Sequence, residues 1–371
     1  MKSFKAFLFH RMRSTVILTV VLCIFAIILT SLMVNVRSYQ LYDVVYDENG
    51  EQTKEEVFEY KVRVRNVGTV ITVLSILCTV IPVLELGGLK NKRNADTVYA
   101  LPIDRRKMCL AHFTNGFLQI MAVYICMAIT TAVIILTSKV EGTVYVQYMV
   151  PLLLLPIPAA LLIYAYFSFL FNEANSVVDG CAFIVSGILM PIFILAALDT
   201  IDVWINGYNF HSWIDEISDG ISPYFSLTLI LNTFTNAMEE GNVSGIYSED
   251  SVIGITVAWC VICVLAATGY YFAFSRKRVE SIGEISSSPI GYKAIIPLGM
   301  FCTALAIDIA DNFLVIVIGS IAAVIGYMIY RRSFKIKLSD IFSIVGSIGV
   351  VIVIRVLENI INRGGGVNVA F

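Results

Sequence analysis

The chain has 371 residues, 58% of them hydrophobic and only 15% charged, with 26 Lys and Arg against 28 Asp and Glu. A soluble domain carries about a quarter charged residues, so this composition excludes an ordinary water-soluble enzyme, and the long apolar runs exclude a disordered chain. A formal net charge of −2 leaves no basic field for nucleic acid.

Uncharged apolar runs long enough to cross about 30 Å of hydrocarbon as helices fall at 15–35, 67–87, 114–137, 149–171, 177–198, 252–274, 294–310, 312–330 and 341–357. Helices are required, because lone strands would leave backbone groups unpaired in lipid. The sequence predicts an all-α polytopic membrane protein of about nine transmembrane helices, with eight as the alternative count. The softest point is the stretch 294–330, read as a tight hairpin of two spans around Asp308, Asp311 and Asn312.

Ahead of the first run, Phe4, Phe7 and Leu8 recur at helical spacing among Lys2, Lys5, Arg11 and Arg13. This pattern predicts an amphipathic helix lying on an anionic inner leaflet. No small-x-small cleavage signal precedes Arg37, so the first run reads as an uncleaved span. Residues 38–66 read as an outer β-hairpin, with a turn at Asp47-Glu-Asn-Gly50 and alternation along Lys61-Val-Arg-Val-Arg65.

The segment 88–113 is too long for a simple turn and carries six basic residues. Asp96 is expected to cap a short helix toward Tyr99, Pro102 to stop it, and Asp104 to cap the next helix from Arg105. Val98, Leu101 and Met108 would give this helix–break–helix an apolar docking surface. A plain basic connector would satisfy the same charge rule.

The segment 199–251 has nine acidic residues and no Lys or Arg. Trp204 and Trp213 suit an interfacial belt, and a re-entrant or interfacial helix is expected from about 223 to 240. Asn242-Val-Ser244 matches a glycosylation acceptor pattern.

Lys and Arg concentrate in 1–14, 88–113, 275–293 and 331–340, which places the N-terminus in the cytoplasm and 38–66 and 199–251 outside. Seven of the eight Cys fall inside spans and none in an outer segment, which argues against a disulfide framework. Cys260 and Cys263 form a CxxC within an apolar helix and read as packing residues.

Catalytic and metal-binding signatures are absent. The sequence has no P-loop, nucleophile elbow or zinc helix. His10, His112 and His211 fall in separate segments, so no shared metal site is expected. Glu85, Asp179, Asp308, Asp311 and Arg355 lie at or near span ends, whereas ion-coupled carriers place such groups at the midplane.

Two stretches carry a family resemblance. The first is Arg93-Asn-Ala-Asp96-Thr-Val-Tyr99-Ala-Leu101-Pro102-Ile-Asp-Arg105-Arg106, and the second is Arg276-Lys-Arg-Val-Glu280-Ser-Ile-Gly283. Both resemble motifs of the permease subunits of bacterial ABC-2-type ATP-binding cassette transporters. Asn172 and Ser222-Pro223 fit more weakly. The order of elements over residues 1–275 also resembles the six-span core of that family. The outer hairpin and the additional spans in 276–371 depart from it.

The resemblance implies a non-enzymatic subunit with no catalytic residue, cofactor or metal. It would dock a cytosolic ATPase through Arg93, Asp96, Tyr99, Leu101, Pro102, Arg105, Arg106, Arg276, Glu280 and Gly283. It also implies a second permease copy or paralogue, a plasma-membrane location and transport coupled to ATP hydrolysis, in the export direction. The competing expectations are an ion-coupled secondary transporter and a membrane sensor or assembly protein.

Overall fold

The computed structural model describes residues 2–46, 52–138, 145–206, 235–236, 238, 249–277, 280, 282–284, 291–306 and 313–364. Eleven α-helices are taken in chain order within them: α1 Lys2–Met33, α2 Gly68–Gly87, α3 Lys92–Tyr99, α4 Arg105–Thr137, α5 Met149–Leu154, α6 Pro156–Glu173, α7 Val177–Asn206, α8 Glu249–Arg276, α9 Tyr292–Ala306, α10 Phe313–Arg331 and α11 Leu338–Gly364. Two strands, β1 Asn35–Tyr46 and β2 Gln52–Arg65, lie between α1 and α2.

Seven helical stretches are long and apolar enough to cross a membrane, and Tyr292–Leu305 and Ile316–Arg331 are shorter apolar helices. The chain is a multi-pass helical membrane protein. Asp308, Asp311 and Asn312, the expected turn between the last two short spans, lie outside the described residues. So do most of the expected re-entrant helix, the glycosylation pattern and the hairpin turn at 47–50.

The N-terminal expectation is corrected. α1 is one continuous 32-residue helix, with no Gly or Pro between Lys2 and Met33 to separate a surface helix from a span. The amphipathic start is therefore the first turns of a single rod. The hairpin forms as expected, and its antiparallel ladder starts earlier, at Asn35↔Arg65. Its register shifts after Leu41 and after Val45, where bulges increase local twist.

The chain divides into two compact units. The first comprises 1–86, 100–169 and 223–276. Its core packs Leu74 and Ile81 of α2 with Met108, Ile120, Tyr124 and Met127 of α4 and Tyr164 and Phe167 of α6, all fully buried. Gly116 matters here: a Cβ at this position would collide with the Tyr164 ring and hydroxyl. Tyr124 satisfies its hydroxyl by donating to the Leu153 carbonyl at 2.6 Å.

The second unit comprises 87–99, 170–222 and 277–371. Here α9 packs against α7, α10 and α11, with Ala197, Cys302, Leu305 and Val351 forming an apolar centre. The turn from α10 to α11 is held by Arg331, which donates to both carboxylate oxygens of Asp340 at 2.7 and 2.5 Å. Such a two-point bond fixes both distance and angle between the helix ends.

Candidate functional site

The helix–break–helix of 88–113 is present, with its capping rearranged. The Asn91 side chain, not Asp96, accepts from the Arg93 backbone N–H at 3.2 Å. Asp96 lies exposed in the interior of α3, where the helix has already satisfied the amides a cap would serve. Asp104 caps α4 as expected, accepting from Arg106 N–H at 3.1 Å. The expected apolar surface shrinks, since Met108 is 1% exposed and belongs to the core while Leu101 remains 40% exposed.

The resemblance-derived residues divide between the two units. In the first, Leu101, Pro102, Arg105 and Arg106 are all exposed, and the Arg276 guanidinium lies 5.9 Å from the Phe272 ring centre. In the second, Arg93 and Asp96 are exposed on α3, Tyr99 is half-buried and Glu280 is exposed. Gly283 adopts φ +84°, a left-handed conformation that suits glycine. Its N–H donates to Asn175 O at 2.9 Å, and its carbonyl accepts from Arg332 at 2.5 Å. Gly283 is thus a structural turn that ties the segment after α8 to the start of α7. Arg332 also pairs with Asp179 at 3.5 Å, and Asp179 accepts from the Tyr292 hydroxyl at 3.2 Å.

A buried polar cluster of the first unit surrounds Glu85, near the end of α2. Its carboxylate accepts from Arg11 at 3.0 Å, Asn115 at 2.5 Å and Gln119 at 2.7 Å, and lies 3.4 Å from His112 Nδ1. Arg11 also reaches the Glu85 backbone carbonyl at 3.3 Å, and Asn115 reaches the Thr15 hydroxyl at the same distance. Glu85 and His112 are 2% and 1% exposed. One carboxylate therefore joins α1, α2 and α4, and a buried charge needs this density of donors.

His112, Asn115 and Gln119 stand at i, i+3 and i+7, which places them on one helical face. That spacing was the available signal for the cluster: three polar residues in register within an apolar helix. Reading each histidine against the others, rather than along its own helix, passes over it. The described cysteines are unpaired, and no group of His, Cys, Asp and Glu among the described residues could hold a metal ion.

The second unit carries a contrasting arrangement. The Lys90 and Lys277 ammonium groups both donate to the backbone carbonyls of Asn172 and Ala174 at the end of α6, Lys90 reaching Asn172 at 3.0 Å. These carbonyls have no partner within the helix and carry the negative end of its dipole. Lys90 additionally sits 5.3 Å from the Phe171 ring centre. Burial pulls Lys277 below the ordinary lysine range, against the opposing pull of Lys90's hydrogen bonding and the Glu173 charge. Because Lys90 lies two residues before α3, this contact anchors the base of that helix.

No protein-family model, curated protein or solved structure matches the chain.

Proposed function

We propose that the chain is the permease subunit of an ABC-2-type transporter, resident in the plasma membrane with its N-terminus in the cytoplasm. The observation carrying this reading is the α3–break–α4 segment: a short capped helix and an exposed Leu101 with Arg105 and Arg106 beyond it, set between two long apolar helices. On this reading a separate cytosolic ATPase docks there, a second permease copy or paralogue completes the pathway, and the chain itself hydrolyses nothing. Nucleotide in the partner shifts the spans between two arrangements only through contacts that differ between them.

A secondary transporter is the second reading, favoured by the buried Glu85 cluster. The position of Glu85 counts against it. It lies two residues from the end of α2, next to the coupling segment, whereas ion-coupled carriers bind near the bilayer midplane.

The test replaces Leu101 with Asp. The variant is expected to insert normally and to lose co-purification with its ATPase, because one buried apolar anchor is worth about 1–3 kcal/mol of association. Arg105→Ala should act mainly through salt sensitivity. Unchanged co-purification and transport in Leu101→Asp would make the segment a plain connector.

A further inference from the structure

In the second unit a recess of about 490 Å³ opens among α7, α9 and α10. Its size is that of a small-molecule site. Ser186 and Thr303 are the only hydroxyl-bearing residues in an otherwise apolar lining, and the Ser186 hydroxyl is already spent on the Ala182 carbonyl at 2.8 Å. The hollow exists because Gly299, Gly319, Ala322 and Ala323 face it where larger side chains would fill it. Leu189 and Ile318 of its lining are also exposed, so the recess is continuous with apolar surface.

A lysine stands about one helical turn beyond one end of the lining. Lys293 is exposed on α9, and Ile296, Met300 and Thr303 of the lining follow it at three, seven and ten residues, the spacing of one helical stripe. At about 1.5 Å per residue the stripe descends ~15 Å from Lys293, half of the ~30 Å hydrocarbon core and therefore one leaflet. Beside it runs the segment between α10 and α11, brought to the start of α9 by Tyr292–Tyr330 ring contact at 5.1 Å.

The cations in this region fall into two kinds. Arg331 is consumed by Asp340 and Arg332 by Asp179. Among the described residues, the ammonium groups of Lys293, Lys335 and Lys337 have no ion-pair or hydrogen-bond partner, and all three are exposed. Phe334, between them, is 91% exposed. An aromatic ring flanked by basic residues at a helix end suits the headgroup layer.

We propose that the recess holds one acyl chain of an anionic phospholipid whose phosphate rests on Lys293, with Lys335 and Lys337 flanking it. An uncharged lipid would leave the three lysines unmatched, and a free anion would leave the apolar recess unused. On the orientation proposed above this end faces the inner leaflet, where anionic lipids lie. The inference rests on the second unit alone and stands whether or not the chain partners an ATPase.

The experiment offers the purified full chain mixed micelles holding equal phosphatidylglycerol and phosphatidylcholine, and reads retained lipid by native mass spectrometry. Phosphatidylglycerol should be preferred by roughly tenfold. Lys293→Glu should abolish that preference. Gly319→Leu, whose Cβ meets only the flexible Met300 side chain at 3.6 Å, should reduce retention of both lipids. A phosphatidylglycerol with a photoreactive acyl chain should cross-link, on the unaltered chain, to peptides containing 295–303 and 318–323. Equal retention of the two lipids would overturn the headgroup assignment, as would cross-links elsewhere for the acyl-chain site. Retention of a non-lipid apolar molecule in the recess would overturn the proposal as a whole.

Discussion

Glu85 and the Lys90–Lys277 pair are ionisable groups of opposite kind set near helix ends, and their surroundings differ in kind. Around Glu85 a single anion collects donors from side chains on two other helices, one of them the cation Arg11. At the end of α6 two lysine side chains converge on the same two backbone carbonyls. The first arrangement is over-determined by side chains and depends on all of them. The second contains a duplicate, because each lysine nitrogen reaches both carbonyls. Burial of charge therefore says little about fragility until the partners are counted.

The sharpest way to break this comparison is to delete the anion. Glu85→Ala strands Arg11, Asn115 and Gln119 together, and is expected to destabilise the first unit by about 3–5 kcal/mol, read as the loss of folded protein on heating in detergent. Glu85→Gln keeps the volume but turns one of two acceptor oxygens into a donor that must face either the two amides or Arg11, and should cost about 1–3 kcal/mol. A neutral Glu85→Ala would mean that the cluster contributes nothing to stability.

Duplication predicts the opposite pattern at the lysines. Lys90→Met and Lys277→Met should each cost under about 1 kcal/mol, and the double variant about 2–3 kcal/mol, since only the double orphans the carbonyls. Additive costs would remove the duplication. The same site has a pH signature. Because burial depresses Lys277, the unfolded chain binds more protons than the folded one between that depressed value and about 10.4. Stability should accordingly rise with pH through this window, and Lys277→Met should flatten the rise. The smallest effect calibrates the others: Asp104→Ala removes one exposed cap and should cost about 1 kcal/mol, visible as faster amide exchange in the first turn of α4.

The elements governed by chain-local physics were legible. Apolar runs marked the helices, alternation marked β1 and β2, and Asp104 announced the start of α4. Asp96 misled because a carboxylate before a helix-forming stretch looks the same whether it caps the helix or rides on it; Asn91, five residues earlier, took the role. The Glu85 cluster required knowing that residues 11, 85 and 112–119 meet, and nothing in the order of residues along the chain encodes that meeting. Lys90 read as one more basic loop residue, yet it is 7% exposed, because its carbonyl partners lie more than 80 positions away.

The hairpin has a mechanical consequence. Asn35 pairs with Arg65, so the strands that leave α1 and enter α2 are held about 4.8 Å apart. Asn66 donates to the Met33 carbonyl at 3.1 Å and closes that junction. The far ends of the same two helices are joined by Arg11 and Glu85 at 3.0 Å. The pair is therefore fastened at both ends, by the ladder at one and by the ion pair at the other, and α1 also packs along α4. Loss of either fastening alone leaves α1 and α2 joined at the opposite end, about 33 Å away along the helix.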